Sequence, residues 1–201
     1  MFETFLLIVV FIVGIWSVIQ PHDLFTWFLE TFPAFIGLVV LGATYRKFPL
    51  THLAYFLIAV HCCILFVGGH YTYAEVPLFN WVRDTFHLAR NDYDRVGHFW
   101  QGFGPAIVAR EIIIRTSPLK KGKWLFFLVM CFCLALSGAY ELLEWRVAVG
   151  TGSAADAFLG TQGDPWDTQE DMATAWFGAV IALWFLPKYH DRQITSLGKR
   201  K

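Results

Sequence analysis

Long apolar runs broken by short polar clusters organise this chain. Six stretches, 5–19, 24–44, 50–69, 92–115, 124–149 and 165–186, are apolar over lengths close to the roughly 20 helical residues that cross a bilayer. The breaks between them carry stop signals. Gln20-Pro21-His22-Asp23 ends the first run and Tyr45-Arg46-Lys47 the second. A polar, aromatic stretch from His70 to Arg90 separates the third from the fourth. A Gly/Asp-rich loop from Gly150 to Gly163 separates the fifth from the sixth, and a short basic tail follows. Asn91 is placed to cap the fourth helix with Asp94 three residues on. Asp164-Pro165 reads as a cap followed by proline at the first helical position. Gly150 reads as the stop of the fifth helix and Pro187 as that of the sixth. The pattern predicts an all-α membrane protein, a bundle of six transmembrane helices forming one integral domain over 1–201.

Charge gives the bundle an orientation. With both termini cytoplasmic, the inner loops and tail hold Arg46, Lys47, Arg115, Lys120, Lys121, Lys123, Lys188, Arg192, Lys199, Arg200 and Lys201. The outer side holds only Arg83, Arg90, Arg95 and Arg146, as the positive-inside rule requires. In this frame the acids lie outside, except Glu3, Glu111 and Asp191. Charged residues make up 16% of the chain, below the roughly 25% of a soluble domain. The formal net charge of zero gives a nucleic-acid partner no electrostatic support. Cys62, Cys63, Cys131 and Cys133 all lie in apolar runs and read as buried thiols. The opening MFETFLLIVVFIVGIW lacks a basic region and a small-residue exit, so it reads as a retained span rather than a cleaved signal.

The acids on the outer side change the picture from a plain bundle to one with candidate chemistry. Asp94 and His98 are four apart and share a face, which Gln101 continues one turn deeper. Glu141 and Glu144 are three apart near the C-terminal end of their helix, where the helix dipole opposes them. Asp164, Asp167 and Asp171 step down one stripe, with His70 and Glu30 expected at the same depth. Ionisable groups inside a span cost about 2.5–3.5 kcal/mol each on insertion scales and normally face the bundle interior. Two readings stay open. Asp94, Asp164 and Asp167 also fit as helix caps, and Glu141 and Glu144 as salt-bridge partners of Arg95. His61, Cys62 and Cys63 read as packing, and Arg110 and Glu111 as a local ion pair at the inner face. If a metal binds, one histidine among carboxylates suits zinc, manganese or iron. No HExxH, GxSxG, P-loop or dinucleotide fingerprint occurs.

The strings HYTYAEVPLFNW, RNDYDRVGHFWQGF, YELLEW and ADAFLGTQGDPWDTQEDM resemble the YjdF-type family of bacterial inner-membrane proteins. That resemblance covers nearly the whole chain and implies a multi-pass protein of the bacterial cytoplasmic membrane. A looser similarity reaches the VanZ-like membrane proteins, associated with teicoplanin resistance. Their pattern matches Asp94-Arg95-x-x-His98, Glu141, and Asp171 with Gly178, and implies one polar centre containing Asp94, His98, Glu141 and Asp171. Glu144 stands where that pattern tends to have Gln, and Ala175 where it tends to have Asn.

The resulting expectation is a metal-assisted enzyme acting on a lipid or lipid-linked envelope substrate at the outer face. His98, Glu141 and Glu144 are its catalytic candidates. Its candidate ligands are His98, Glu141, Glu144, Asp167 and Asp171. Asp94, Arg95, Gln101, His70, Tyr73 and Glu30 are expected to support them or touch substrate. The alternatives are a proton- or cation-coupled carrier, a lipid-binding envelope factor, and an ion-pair network that only fixes packing. Gly-rich helix faces permit close association but set no oligomeric state.

Overall fold

A computed structural model describes residues 1–152 and 156–198, which form nine helices and no strand. Lys199, Arg200 and Lys201, used above to orient the chain, lie outside the described residues, as does 153–155 of the Gly/Asp-rich loop. The helices are α1 (Phe2–Val18), α2 (Leu24–Thr44), α3 (His52–Tyr71), α4 (Pro77–Phe86), α5 (Tyr93–Thr116), α6 (Lys123–Thr151), α7 (Asp156–Leu159), α8 (Asp167–Phe185) and α9 (Pro187–Gly198). Of these, α2, α3 and α6 are long and apolar enough to cross a membrane. Large side chains such as Phe11, Ile12, Val39, Trp124 and Trp184 point outward, as expected of a surface solvated by lipid rather than water.

Local chemistry sets the helix starts. Asp23 accepts from the Thr26 amide at 2.7 Å and so caps α2, and Thr51 Oγ1 does the same for α3 from Ala54 at 3.3 Å. Two expected caps are corrected. Asn91 lies before the start of α5; its Oδ1 accepts from Tyr93 N while its amide donates to the Val76 carbonyl and to Asn80. It therefore ties α5 to α4, a helix within His70 to Arg90, where the sequence pattern predicts only a polar stretch. Asp164 forms a turn by accepting from Trp166 N at 2.8 Å, and α8 begins only at Asp167. Pro187 does end α8, and it also opens α9 from what read as a basic tail. The fifth run continues one residue past Gly150, to Thr151.

α5 is the hub. It packs on α3, α6 and most closely on α8. Gly102 and Gly178 allow that approach: a Cβ on Gly102 would fall on the Ala175 carbonyl, and one on Gly178 on the Phe99 carbonyl. Small residues are thus spent on packing within the chain. One apolar core joins α3, α5, α6 and α8 through Leu57, Ile107, Val129, Ala179 and Leu183. A second joins α1, α2 and α3 through Leu6, Val10, Ala34, Ala59 and Phe66. Between them, α2 and α6 lack a packed interface with each other, and a cavity of about 660 Å³ occupies the space.

Candidate functional site

The start of α5 and the start of α8 meet in a cluster of charge. Arg90 and Arg95 are its two guanidiniums. Arg90 bonds to Asp167, lies 3.5 Å from Asp164 and 3.6 Å from Asp94, and donates to the Gly160 and Thr161 carbonyls. Arg95 bonds to Asp171, lies 3.2 Å from Asp167 and 3.3 Å from Asp164, and reaches Glu170 at 2.8 Å. Seven carboxylates (Asp92, Asp94, Glu141, Asp164, Asp167, Glu170 and Asp171) therefore face two guanidiniums and His98. Such an excess of one sign draws a further cation or shared protons.

His98 sits at the deep end of this cluster. Its Nδ1 is 3.1 Å from Gln101 Oε1, and its Nε2 is 3.5 Å from Asp94 Oδ1 and 3.7 Å from Asp171 Oδ2. A carbonyl oxygen only accepts, so in this arrangement Gln101 takes a hydrogen bond from Nδ1, and Nε2 faces the two aspartates. Each aspartate divides its oxygens. Asp94 gives Oδ2 to Arg90 and Oδ1 to His98. Asp171 gives Oδ1 to Arg95 and Oδ2 to His98. One ligand-type atom from each of Asp94, His98 and Asp171 lies within 4.8 Å of the others. An ion holding ligands at about 2.0–2.1 Å in a tetrahedron spaces them roughly 3.4 Å apart. The two spacings from His98 Nε2, 3.5 and 3.7 Å, are close to that value.

Not every expected site residue joins this trio. Glu141 is 6% exposed and lies on the other side of His98, 3.8 Å from Nδ1, with Oε1 lacking a hydrogen-bond partner. Asp167, expected as a ligand, is held by both arginines, and Asp94, expected as a supporting residue, takes a place beside His98. Arg95 bonds to acids near the start of α8, not to Glu141 or Glu144 as the salt-bridge reading required. Glu144, Glu30 and Tyr73 line the cavity together with Asp94, His98 and Gln101. His70 does not line it. Its Nδ1 is 3.1 Å from the Ser17 carbonyl and its ring lies 4.3 Å from that of Trp16, which fastens α3 to α1.

Tyr73 reaches the cavity through an unusual turn. Thr72 and Tyr73 both adopt left-handed backbone angles, which cost a non-glycine residue free energy. The Tyr73 ring then fills the space left by Gly68 and Gly97, where a Cβ would collide with it. Three participants escaped the sequence reading. Arg90 had entered only the orientation count; Asn91 beside it and the acids of α8 were the available signal. His61, read as packing, lines the cavity, and Tyr140 does so from α6.

Comparison with known proteins places nearly the whole chain in one family. The family model described as "Predicted membrane protein (DUF2238)" matches residues 2–192. The chain belongs to this family. It is 49% identical over 184 residues to "Inner membrane protein YjdF" of Escherichia coli (strain K12), covering 92% of this chain and 88% of that one. No solved structure matches. These matches concern the first of the two resemblances in the sequence; the VanZ-like one remains a likeness of motif residues.

Proposed function

We propose that this protein is a six-span protein of the bacterial cytoplasmic membrane, with both termini inside, whose outer polar centre binds a divalent cation. His98 Nε2, Asp94 Oδ1 and Asp171 Oδ2 are its protein ligands. Gln101, Arg90 and Arg95 orient those ligands, in the way outer hydrogen bonds fix first ligands in metal sites. The observation that carries the reading is the division of oxygens: each aspartate anchors one oxygen on an arginine and turns the other toward the same imidazole nitrogen. Zinc, manganese and iron suit one nitrogen and two oxygens. In the reading favoured here, the protein is an enzyme acting on a lipid or lipid-linked envelope molecule. Such a cation would supply Lewis acidity toward a phosphoryl or carbonyl oxygen or toward water. Glu144, on the cavity wall, is the residue positioned to take or give a proton there.

Metal analysis of the purified full chain tests this reading. A zinc, manganese or iron ion retained by the wild type and lost from both His98→Ala and Asp171→Asn is the expected result. A wild type that retains none after growth and dialysis in each of these metals overturns it.

One observation favours a second reading. Glu30 lies 3% exposed on the far wall of the cavity with Oε2 unpartnered, and His61 lines the same space. Buried acids without counterions also serve as proton relays. Proton flux in proteoliposomes that stops in Glu30→Gln would select this carrier reading over the enzyme.

A further inference from the structure

The cavity is long as well as polar at one end. From α2 it is lined by Glu30, Pro33, Gly37 and Leu41, which recur every three or four residues and so form one stripe. That stripe runs roughly 16 Å at 1.5 Å per residue, the scale of one acyl chain. Phe132, Leu136, Tyr140 and Leu143 form the facing stripe on α6, and α5 forms the floor with Pro105, Val108 and Ile112. Its lips, among them Ile36, Val40, Phe132 and Leu136, are exposed, and α2 and α6 are two of the three helices suited to crossing a membrane. The slot between them therefore opens sideways, to lipid.

Its charged end is rich in acids. Glu30, Asp94 and Glu144 line it with His61 and His98, and no lysine or arginine does. The two nearby arginines are turned away, onto the acids of α8. Glu30 adds the independent mark of a missing ligand: a buried carboxylate oxygen on the wall with no partner. Away from His98, a phosphate or carboxylate head would face the carboxyls of Glu30 and Glu144, whereas an ammonium would satisfy both from across the slot.

We infer that the slot between α2 and α6 binds an amphiphile through a single alkyl chain, with an ammonium-bearing head held by Glu30 and Glu144. This deepens the proposed function by naming a substrate class for its cavity, but the binding itself does not use the cation. The test therefore uses metal-stripped protein, so that failure of the metal centre and failure of this inference are separate results.

The probe is hexadecylamine carrying a photoreactive group on its chain, with hexadecyl phosphate of the same design as competitor class. Both are presented to the purified full chain in a neutral detergent, and labelled peptides are mapped by mass spectrometry. The amine should label α2 and α6 residues of the slot several-fold more than the phosphate. Gly37 supplies the blocking variant, because a Cβ there meets nothing within 4 Å. Gly37→Leu should keep the melting temperature and lose the labelling, while Gly37→Ala keeps both. Glu30→Gln should keep chain labelling but lose most of the preference for amine over phosphate. Equal labelling of wild type and a folded Gly37→Leu, or a preference for the phosphate, would overturn the inference. Should Gly37→Leu fail to fold, the Glu30→Gln preference decides alone.

Discussion

The two ends of α5 carry two polar centres built in opposite ways. At its C-terminal end Glu111, fully buried, accepts from Thr51 N at 3.0 Å, Thr51 Oγ1 at 2.7 Å, Arg115 at 2.5 Å and His190 Nε2 at 3.0 Å. Arg110 donates to His190 Nδ1 at 2.9 Å, which leaves the His190 proton on Nε2, where Glu111 needs it. Arg110 and Lys121 then share Asp191. Two acids meet three cations and a histidine, and no buried side-chain atom of this group lacks a partner. At the N-terminal end, seven acids meet two guanidiniums and a histidine. Glu30 Oε2, Arg90 Nε and Glu141 Oε1 go unpartnered, and a cavity opens beside them. Burial of charge is common to both. What separates a clamp from a site is whether the protein completes its own hydrogen bonds.

Removal of one partner is the sharpest way to break that contrast. Glu111→Ala leaves the His190 N–H and the Thr51 amide without an acceptor and Arg115 with only the Pro49 carbonyl, and loss of one member of a buried pair costs about 3–5 kcal/mol. Thermal unfolding in detergent should show that loss. Glu30→Gln should do the reverse: removal of an unpartnered buried charge leaves stability within about 1 kcal/mol of wild type or raises it. If both variants lose stability equally, the two centres are both structural and the distinction fails.

The smallest effect sharpens the clamp. Burial raises the Asp191 carboxyl, but hydrogen bonds from Lys121 and Arg110 outweigh it and hold the group below its ordinary 3.8. A depressed folded value means that the folded state binds fewer protons, so the stabilisation is present above about pH 3.8 and is lost as pH falls through the folded value. Asp191 is partly exposed, which limits the contribution to at most about 1 kcal/mol. The stability gap between wild type and Asp191→Asn should be present at neutral pH and close under acid. A gap that persists unchanged below that window would remove the ion pairs as its cause.

Much of this was legible in the chain itself. Hydropathy marked the long helices because each needs only local sequence to reveal it, and the four-residue step from Asp94 to His98 placed the pair on one face. Arg90 and His61 were not legible, because their roles depend on partners 70 or more residues away or on a cavity wall that exists only after packing. Which of Asp167 and Asp94 faces His98 was not legible for a similar reason. Both acids follow helix starts, and only the positions of Arg90 and Arg95 decide which one is left facing His98. α9 was missed because its Pro187 start, readable as an N1 proline, was taken only as a stop.

The central claim is that the centre at the N-terminal end of α5 completes itself with a ligand and the one at its C-terminal end does not need to. A titration of zinc, manganese and iron(II) against thermal unfolding of the metal-stripped full chain tests it most directly. A cation that binds only the folded state adds about 2.7 kcal/mol at a hundred times its dissociation constant. The wild type and Asp191→Asn should gain stability with one of these metals, and His98→Ala should not. A wild type indifferent to all three, or a His98→Ala variant stabilised as much as wild type, would contradict the account.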